Sequence, residues 1–202
     1  MYLTKIKLSP ITNLADARFA AAAGLDYIGF CFDPNDANFI TPIKAKEIVE
    51  WTSGALTVAE FGDQPINEIV EITGLLNMDV VQLNNKLPAN QLAHIDRPII
   101  KVFSITEPDY ALVENELKQY APFTYAFLLQ GTLEIKEHHD WFIKLCTQYK
   151  IIWAITVDPT HIKQIAEIFK PYAINITPGV EEKTGVKDFE ALYDVLEELG
   201  VE

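Results

Sequence analysis

The strongest constraint on this chain is an eightfold alternation of short apolar runs with helical patterns, packed into 202 residues without a long linker. The runs rich in β-branched and aromatic residues fall at about 3–8, 27–32, 56–61, 79–84, 98–105, 125–130, 151–156 and 172–177. Helical patterns follow each of them, near 13–23, 41–53, 65–77, 88–94, 109–120, 139–150, 159–170 and 188–199. The strands are apolar on both faces, as a parallel sheet covered by helices requires. Helix boundaries carry the expected chemistry. Asn13 suits an N-cap, Gly24 suits the position after a helix end, and Thr41-Pro42 places a cap before a proline in the first turn. An open doubly wound sheet is the competing architecture, but its glycine-rich first turn is absent: strand one runs into Ser9-Pro10-Ile11-Thr12. The expected fold is α/β, a single (β/α)8 TIM barrel over residues 1–202, a length near the minimum for that fold.

Charge narrows the partners. The formal net charge is −13, and no Lys/Arg run suggests a nucleic-acid surface. No apolar stretch approaches the length of a membrane span, and the N-terminus lacks the apolar core of a signal peptide. Cys31 and Cys146 are too few for a disulfide framework and fit a reducing cytosol. The expectation is a cytoplasmic monomer or homodimer that binds neither nucleic acid nor membrane.

Several ordered segments resemble the phosphoribosylanthranilate isomerase family. They are Lys5-Ile6-Lys7-Leu8, Asp16-Ala17, the run from Ala22 to Phe30, Asp79-Val80-Val81-Gln82-Leu83 and Pro98-Ile99-Ile100-Lys101. Gly179-Val180-Glu181 and Gly185-Val186-Lys187-Asp188 close the set. Each fragment is short, but their order and spacing cover nearly the whole chain. The resemblance implies a (β/α)8 barrel with its site at the C-terminal ends of the strands. It also implies an Amadori isomerisation in tryptophan biosynthesis, of the aldose–ketose type, without metal or organic cofactor. That reaction needs an acid to protonate the ribose ring oxygen and a base to remove the C2′ proton. The family draws them from an aspartate ending strand six and a cysteine in strand one. Glycine-rich turns after strands seven and eight hold the phosphate.

At the corresponding positions this chain differs. Lys7 stands in the place of the cysteine, and Gln130, whose amide does not titrate, stands in the place of the aspartate. Asn38 replaces an arginine, and Asn84-Asn85 replaces a His-Gly pair. The turn after strand seven reads Ala154-Ile155-Thr156-Val157, without glycine. After strand eight, Thr177-Pro178-Gly179 includes a proline that has no N–H to offer a phosphate. The expected consequence is a family member inactive or altered in that reaction. An isomerase using substitute residues and a non-catalytic binding or scaffold protein are the alternatives.

Strand parity suggests which side chains share the barrel interior. Lys7 groups with Lys5, Lys101 with Ile99 and Phe103, Gln82 with Val80 and Asn84, Gln130 with Leu128, and Asn175 with Thr177. Buried lysines need counter-charges, for which Glu60 is the candidate. The candidate pocket for a small molecule is therefore Lys7, Asn38, Glu60, Gln82, Asn84, Lys101, Gln130, Asn175, Thr177 and Gly179. Lys7 suits a base, an imine former or an anion clamp; Lys5 and Lys101 suit an ion-paired core. If Lys7 acts on a ligand, its replacement by alanine is expected to abolish binding with little change in melting temperature. Glu134, His138, His139 and Asp140 read as a solvated helix start, so no metal site is expected. Asp33-Pro34-Asn35-Asp36 reads as a turn, not a calcium loop.

Overall fold

The structure is a computed structural model that describes residues 4–106, 109–132, 135–155, 161–178, 181–183, 186–187 and 190–200. Eight parallel strands close into a barrel in sequence order. They are β1 (Lys5–Leu8), β2 (Tyr27–Cys31), β3 (Leu56–Phe61), β4 (Val80–Leu83), β5 (Ile99–Ser104), β6 (Ala126–Gly131), β7 (Ile151–Ile155) and β8 (Ala173–Ile176). Closure is made by β1 against β8, with Lys7 opposite Asn175. The helices are α1 (Leu14–Ala22), α2 (Pro42–Glu50), α3 (Ile66–Leu75), α4 (Tyr110–Tyr120), α5 (His139–Gln148), α6 (Ile162–Ile168) and α7 (Glu190–Glu198).

Local chemistry accounts for the helix starts. Asn13 accepts from the Asp16 backbone N–H at 2.9 Å, Thr41 from that of Lys44 at 3.3 Å, and Asp109 from that of Leu112 at 3.1 Å. Gly24 takes φ +66° just past α1, where only glycine avoids strain. Two elements depart from the sequence reading. The fourth crossover is a six-residue 3-10 helix, Ala89–His94, rather than an α-helix, short enough for the tighter winding that longer helices do not sustain. After β8 a short antiparallel pair forms, β9 (Glu181–Lys183) with β10 (Val186–Lys187). Its segments are short and polar, so they show no period-2 signal.

The apolar residues divide into two bodies. The outer one packs the helices on the barrel and contains Ile6, Leu8, Phe30, Phe61, Leu83, Phe127 and Trp153. On its α5–α6 side, Trp153 stacks on Phe169 with ring centroids 5.3 Å apart. The inner body fills the barrel with Tyr27, Val58, Val80, Ile100, Val102, Ala126, Leu128, Ile152 and Ala173. At its N-terminal end, the Tyr172 hydroxyl lies 3.0 Å from that of Tyr27 and 2.6 Å from that of Tyr125. Lys5 Nζ donates to the same oxygen at 3.1 Å. This end is therefore sealed by side chains, and the polar interior lies toward the C-terminal mouth.

Gly131 ends β6 at φ +143°, and a Cβ placed there would lie 1.9 Å from the Ile105 carbonyl oxygen. That oxygen belongs to backbone held by the Ile105 N–H bond to the Gln130 carbonyl, at 2.7 Å. Gly131→Ala is expected to destabilise the fold by at least about 2 kcal/mol, measured by urea unfolding.

Candidate functional site

Above the inner apolar layer, β1, β3 and β8 bring three polar side chains together. Lys7 is fully buried, and its Nζ donates to Glu60 Oε1 at 2.5 Å and to Asn175 Oδ1 at 2.7 Å. Ser9, just past β1, donates its hydroxyl to the same Glu60 oxygen at 2.6 Å. The two-residue strand period puts Ser9 on the Lys7 face, a signal present in the sequence but not used there. Gly29 makes room for this arrangement. A Cβ on Gly29 would meet Glu60 Oε1 at 2.0 Å and Ser9 Oγ at 2.7 Å, so β2 must carry glycine where the carboxylate crosses it.

Electrostatics follow from burial. Desolvation pushes the Lys7 ammonium below the usual lysine range, while the attraction of Glu60 works in the opposite direction. Cys31 pairs with Glu60 in the β2–β3 register and is buried. Burial and the carboxylates of Asp36, Glu60 and Asp33 push its thiol up to about 11, against a backbone hydrogen bond at Asp33. Cys31 is therefore a protonated thiol at neutral pH and no substitute for a thiolate base.

The other candidates divide. Gln82 faces the interior beside Glu60 in the β3–β4 register, and its Oε1 is buried without a hydrogen-bond partner. Gln130, half-buried at the end of β6, donates from Nε2 to Ser104 Oγ at 2.9 Å. Asn84 follows β4 and Thr177 follows β8, both exposed at the mouth end. Asn38 is exposed in the β2–α2 loop, where its backbone N–H and its side-chain amide both donate to Asp36 Oδ1. Asp33 accepts in the same way from Asn35, so this stretch is a pair of turns, as its composition suggests. Gly179 lies outside the described residues, as do Thr156, Val157 and Glu134. Pro178 is buried. Asn175, the first residue of a glycosylation-like triplet, is held inside the barrel by Lys7.

Lys101 is a correction. It lies on the outer face of β5 with Ile99 and Phe103, not in the pocket, whereas Ile100 and Val102 face inward. A strand apolar on both faces leaves its parity undetermined, so one side chain's direction does not transfer to the next strand. Lys101 Nζ donates to the carbonyls of Val102 at 3.1 Å and Leu83 at 3.4 Å. It sits 5.3 Å from the Phe103 ring centroid and 5.6 Å from that of Tyr120. Lys5 is likewise not neutralised by Glu60; it lies at the opposite end of the barrel. Among the described residues, no three His, Cys, Asp or Glu side chains converge as a metal site. No described helix is long and apolar enough to cross a membrane.

Two stability predictions follow from these positions. Lys7→Ala leaves the Glu60 carboxylate unpaired and is expected to cost about 3–5 kcal/mol in urea unfolding. The alanine variant with little change in melting temperature, expected if Lys7 acts on a ligand, is the opposite outcome of the same measurement. Lys7→Met combined with Glu60→Leu recovers most of that loss, because both charges leave together. Burial lowers Lys101 to about 8, against the attraction of Glu116. Between that value and its ordinary 10.5, the unfolded chain holds the proton and the folded chain does not, so Lys101 makes stability rise with pH in this window. Lys101→Met is expected to be more stable than the parent at pH 7, by on the order of 2 kcal/mol, with the gap closing by pH 10.

With this geometry in place, the comparisons with known proteins are specific. The sequence profile of the family described as N-(5'phosphoribosyl)anthranilate (PRA) isomerase matches residues 6–198. The isomerase of Geobacter metallireducens is 30% identical over 196 residues, covering 92% of this chain and 94% of the relative. That of Aquifex aeolicus is 29% identical over 201 residues, covering 96% and 97%. The solved structure of the Thermus thermophilus isomerase superposes with a TM-score of 0.82 at 27% identity, covering 97% of this chain and 98% of the other. An isomerase crystallised with reduced 1-(o-carboxyphenylamino)-1-deoxyribulose 5-phosphate shares the fold at 23% identity and TM-score 0.82, covering 97% and 98%.

Proposed function

Because the chain belongs to the N-(5'-phosphoribosyl)anthranilate isomerase family, we propose that it keeps the family's barrel and a small-molecule site at the C-terminal mouth, but not the family's acid–base pair. On this reading it is altered or inactive in the Amadori isomerisation of tryptophan biosynthesis. The observation that carries the proposal is the bonding of Lys7. At the strand-one position expected of the base, a fully buried ammonium is committed to Glu60 and Asn175. Deprotonating it would strip the charge from both hydrogen bonds and leave the Glu60 carboxylate without its counter-ion, so it makes a poor acceptor for a substrate proton. Gln130 adds to this. It is the penultimate residue of β6, where the acid is expected, and its amide has no titrating proton. Cys31 supplies no thiolate nearby.

One observation favours the second reading, a working isomerase with substitute residues. Glu60 is a carboxylate in the same interior, with 12% of its side chain exposed, and Lys7 and Ser9 both donate to its Oε1. Its second oxygen would then be the acid–base atom. A homodimer is in keeping with the Thermotoga maritima relative, a dimeric isomerase whose crystal structure is that of monomers generated from it. The acidic composition and the two free cysteines support a cytoplasmic location.

The test is turnover of phosphoribosylanthranilate, followed by loss of substrate fluorescence beside the Aquifex aeolicus relative. The expected rate is at least about 10²-fold lower than the relative's, the usual cost of losing an acid or a base. A comparable rate, or growth of an isomerase-deficient tryptophan auxotroph carrying this chain, would establish the second reading instead.

A further inference from the structure

The N-terminal end of the barrel gathers ionisable groups that lie away from the mouth. Tyr172 stands just before β8, and three groups converge on its hydroxyl oxygen. They are Tyr125 Oη at 2.6 Å, Tyr27 Oη at 3.0 Å and Lys5 Nζ at 3.1 Å. Lys150, just before β7, places its Nζ 3.7 Å from the Tyr125 ring centroid and 5.3 Å from that of Tyr172. Two ammonium groups therefore flank one phenol. Among the described residues, neither forms an ion pair with a carboxylate. Asp26, the acid whose field reaches Lys5, is occupied by the Ile6 backbone N–H at 2.9 Å.

Proton counting singles out Tyr172. An ammonium only donates, so Lys5 takes one acceptor position on the phenol oxygen. While Tyr172 keeps its proton, it donates that proton to one of the other two tyrosines. Once the proton leaves, all three partners can donate to the same oxygen. Ionisation then costs no hydrogen bond and makes three of them charge-assisted. Tyr27 is buried, and burial pushes its phenol up, so it stays a donor. Burial acts on Tyr172 in the same direction, but its hydrogen bonds to Tyr125, Tyr27 and Lys5 outweigh it and hold the phenol below its ordinary 10. The hydrogen bond to Tyr172 raises the Lys5 ammonium above its ordinary 10.5, so the two partners shift in opposite directions, as an ion pair does.

We propose that Tyr172 is an alkaline switch: on losing its proton it becomes a phenolate held by Lys5, Tyr125 and Tyr27 beside Lys150, and it tightens the N-terminal closure of the barrel. The groups it joins come from β1, from β2 and from the residues that enter β6, β7 and β8. Below the unfolded value of the phenol and above its folded one, the unfolded chain holds the proton and the folded chain does not. Stability therefore rises with pH in this window and is lost as pH falls through the folded value. The device stands at the opposite end of the barrel from Lys7 and is independent of the chemistry there.

The experiment is ultraviolet absorbance of tyrosinate in the folded full chain, titrated upward from neutral pH. One of the eight tyrosines is expected to ionise ahead of the rest, below the ordinary 10, and Tyr172→Phe removes that step. Lys5→Met is expected to move the step up by about one pH unit, the usual effect of losing an adjacent opposite charge. Lys5→Arg keeps a charged donor and keeps the step below 10. In urea unfolding, the midpoint of the parent is expected to gain on that of Tyr172→Phe as pH rises toward 10. A hydroxyl with a purely structural role would give a gap that does not change with pH. No early step in the parent, an early step that survives Tyr172→Phe, or a step unmoved by Lys5→Met overturns the proposal. So does a gap in midpoint that fails to widen. If Tyr172→Phe does not fold, the titrations of the parent and of Lys5→Met decide in its place.

Discussion

The Lys7–Glu60 ion pair organises the polar half of this barrel. It joins β1 to β3 across the interior, over the glycine of β2 that leaves space for it. Taking both charges out of water is costly, and their attraction offsets that cost only because Ser9 and Asn175 complete the hydrogen bonding. The neighbouring choices depend on this. Gly29 has no side chain, Cys31 stays protonated beside a carboxylate, and β8 presents an amide to the ammonium. Below the pair the interior is apolar, so the charge sits on a packed floor.

The same pair separates family membership from chemistry. The profile match and the superposition report the barrel, which is set by strand and helix patterning over nearly the whole chain. A reaction depends on a few atoms at the strand ends, which neither the profile match nor the superposition reports. A fold accommodates varied sites because most of its apolar burial lies in the helix–barrel packing.

Much of the fold was legible from local physics. The eight strands, the caps at Asn13 and Thr41, and the turn at Gly24 appear where side-chain chemistry places them. The 3-10 crossover at Ala89–His94 and the β9–β10 pair were not legible, since short segments carry no periodic signal. Glu60 was recognised as the counter-charge because a buried lysine demands one. Ser9 and Gly29 were missed as parts of the same cluster, because their roles depend on a carboxylate arriving from a strand about thirty or more residues later. Lys101 was placed on the wrong face for a related reason. Parity orders residues within a strand, but the absolute direction of each strand is decided by closure of the barrel.

The amino-acid sequence by itself determined the architecture and the family, and it sets Lys7 in strand one and Gln130 in strand six. These are properties of residue type and spacing along the chain, and local rules read them. Only the tertiary structure decided which lysine the carboxylate neutralises, which one is buried outside the barrel, and that the amide oxygens of Gln64 and Gln82 are buried without a partner. Those outcomes depend on distances between strands far apart in sequence. They emerge only when the eight-stranded sheet closes and brings β8 against β1.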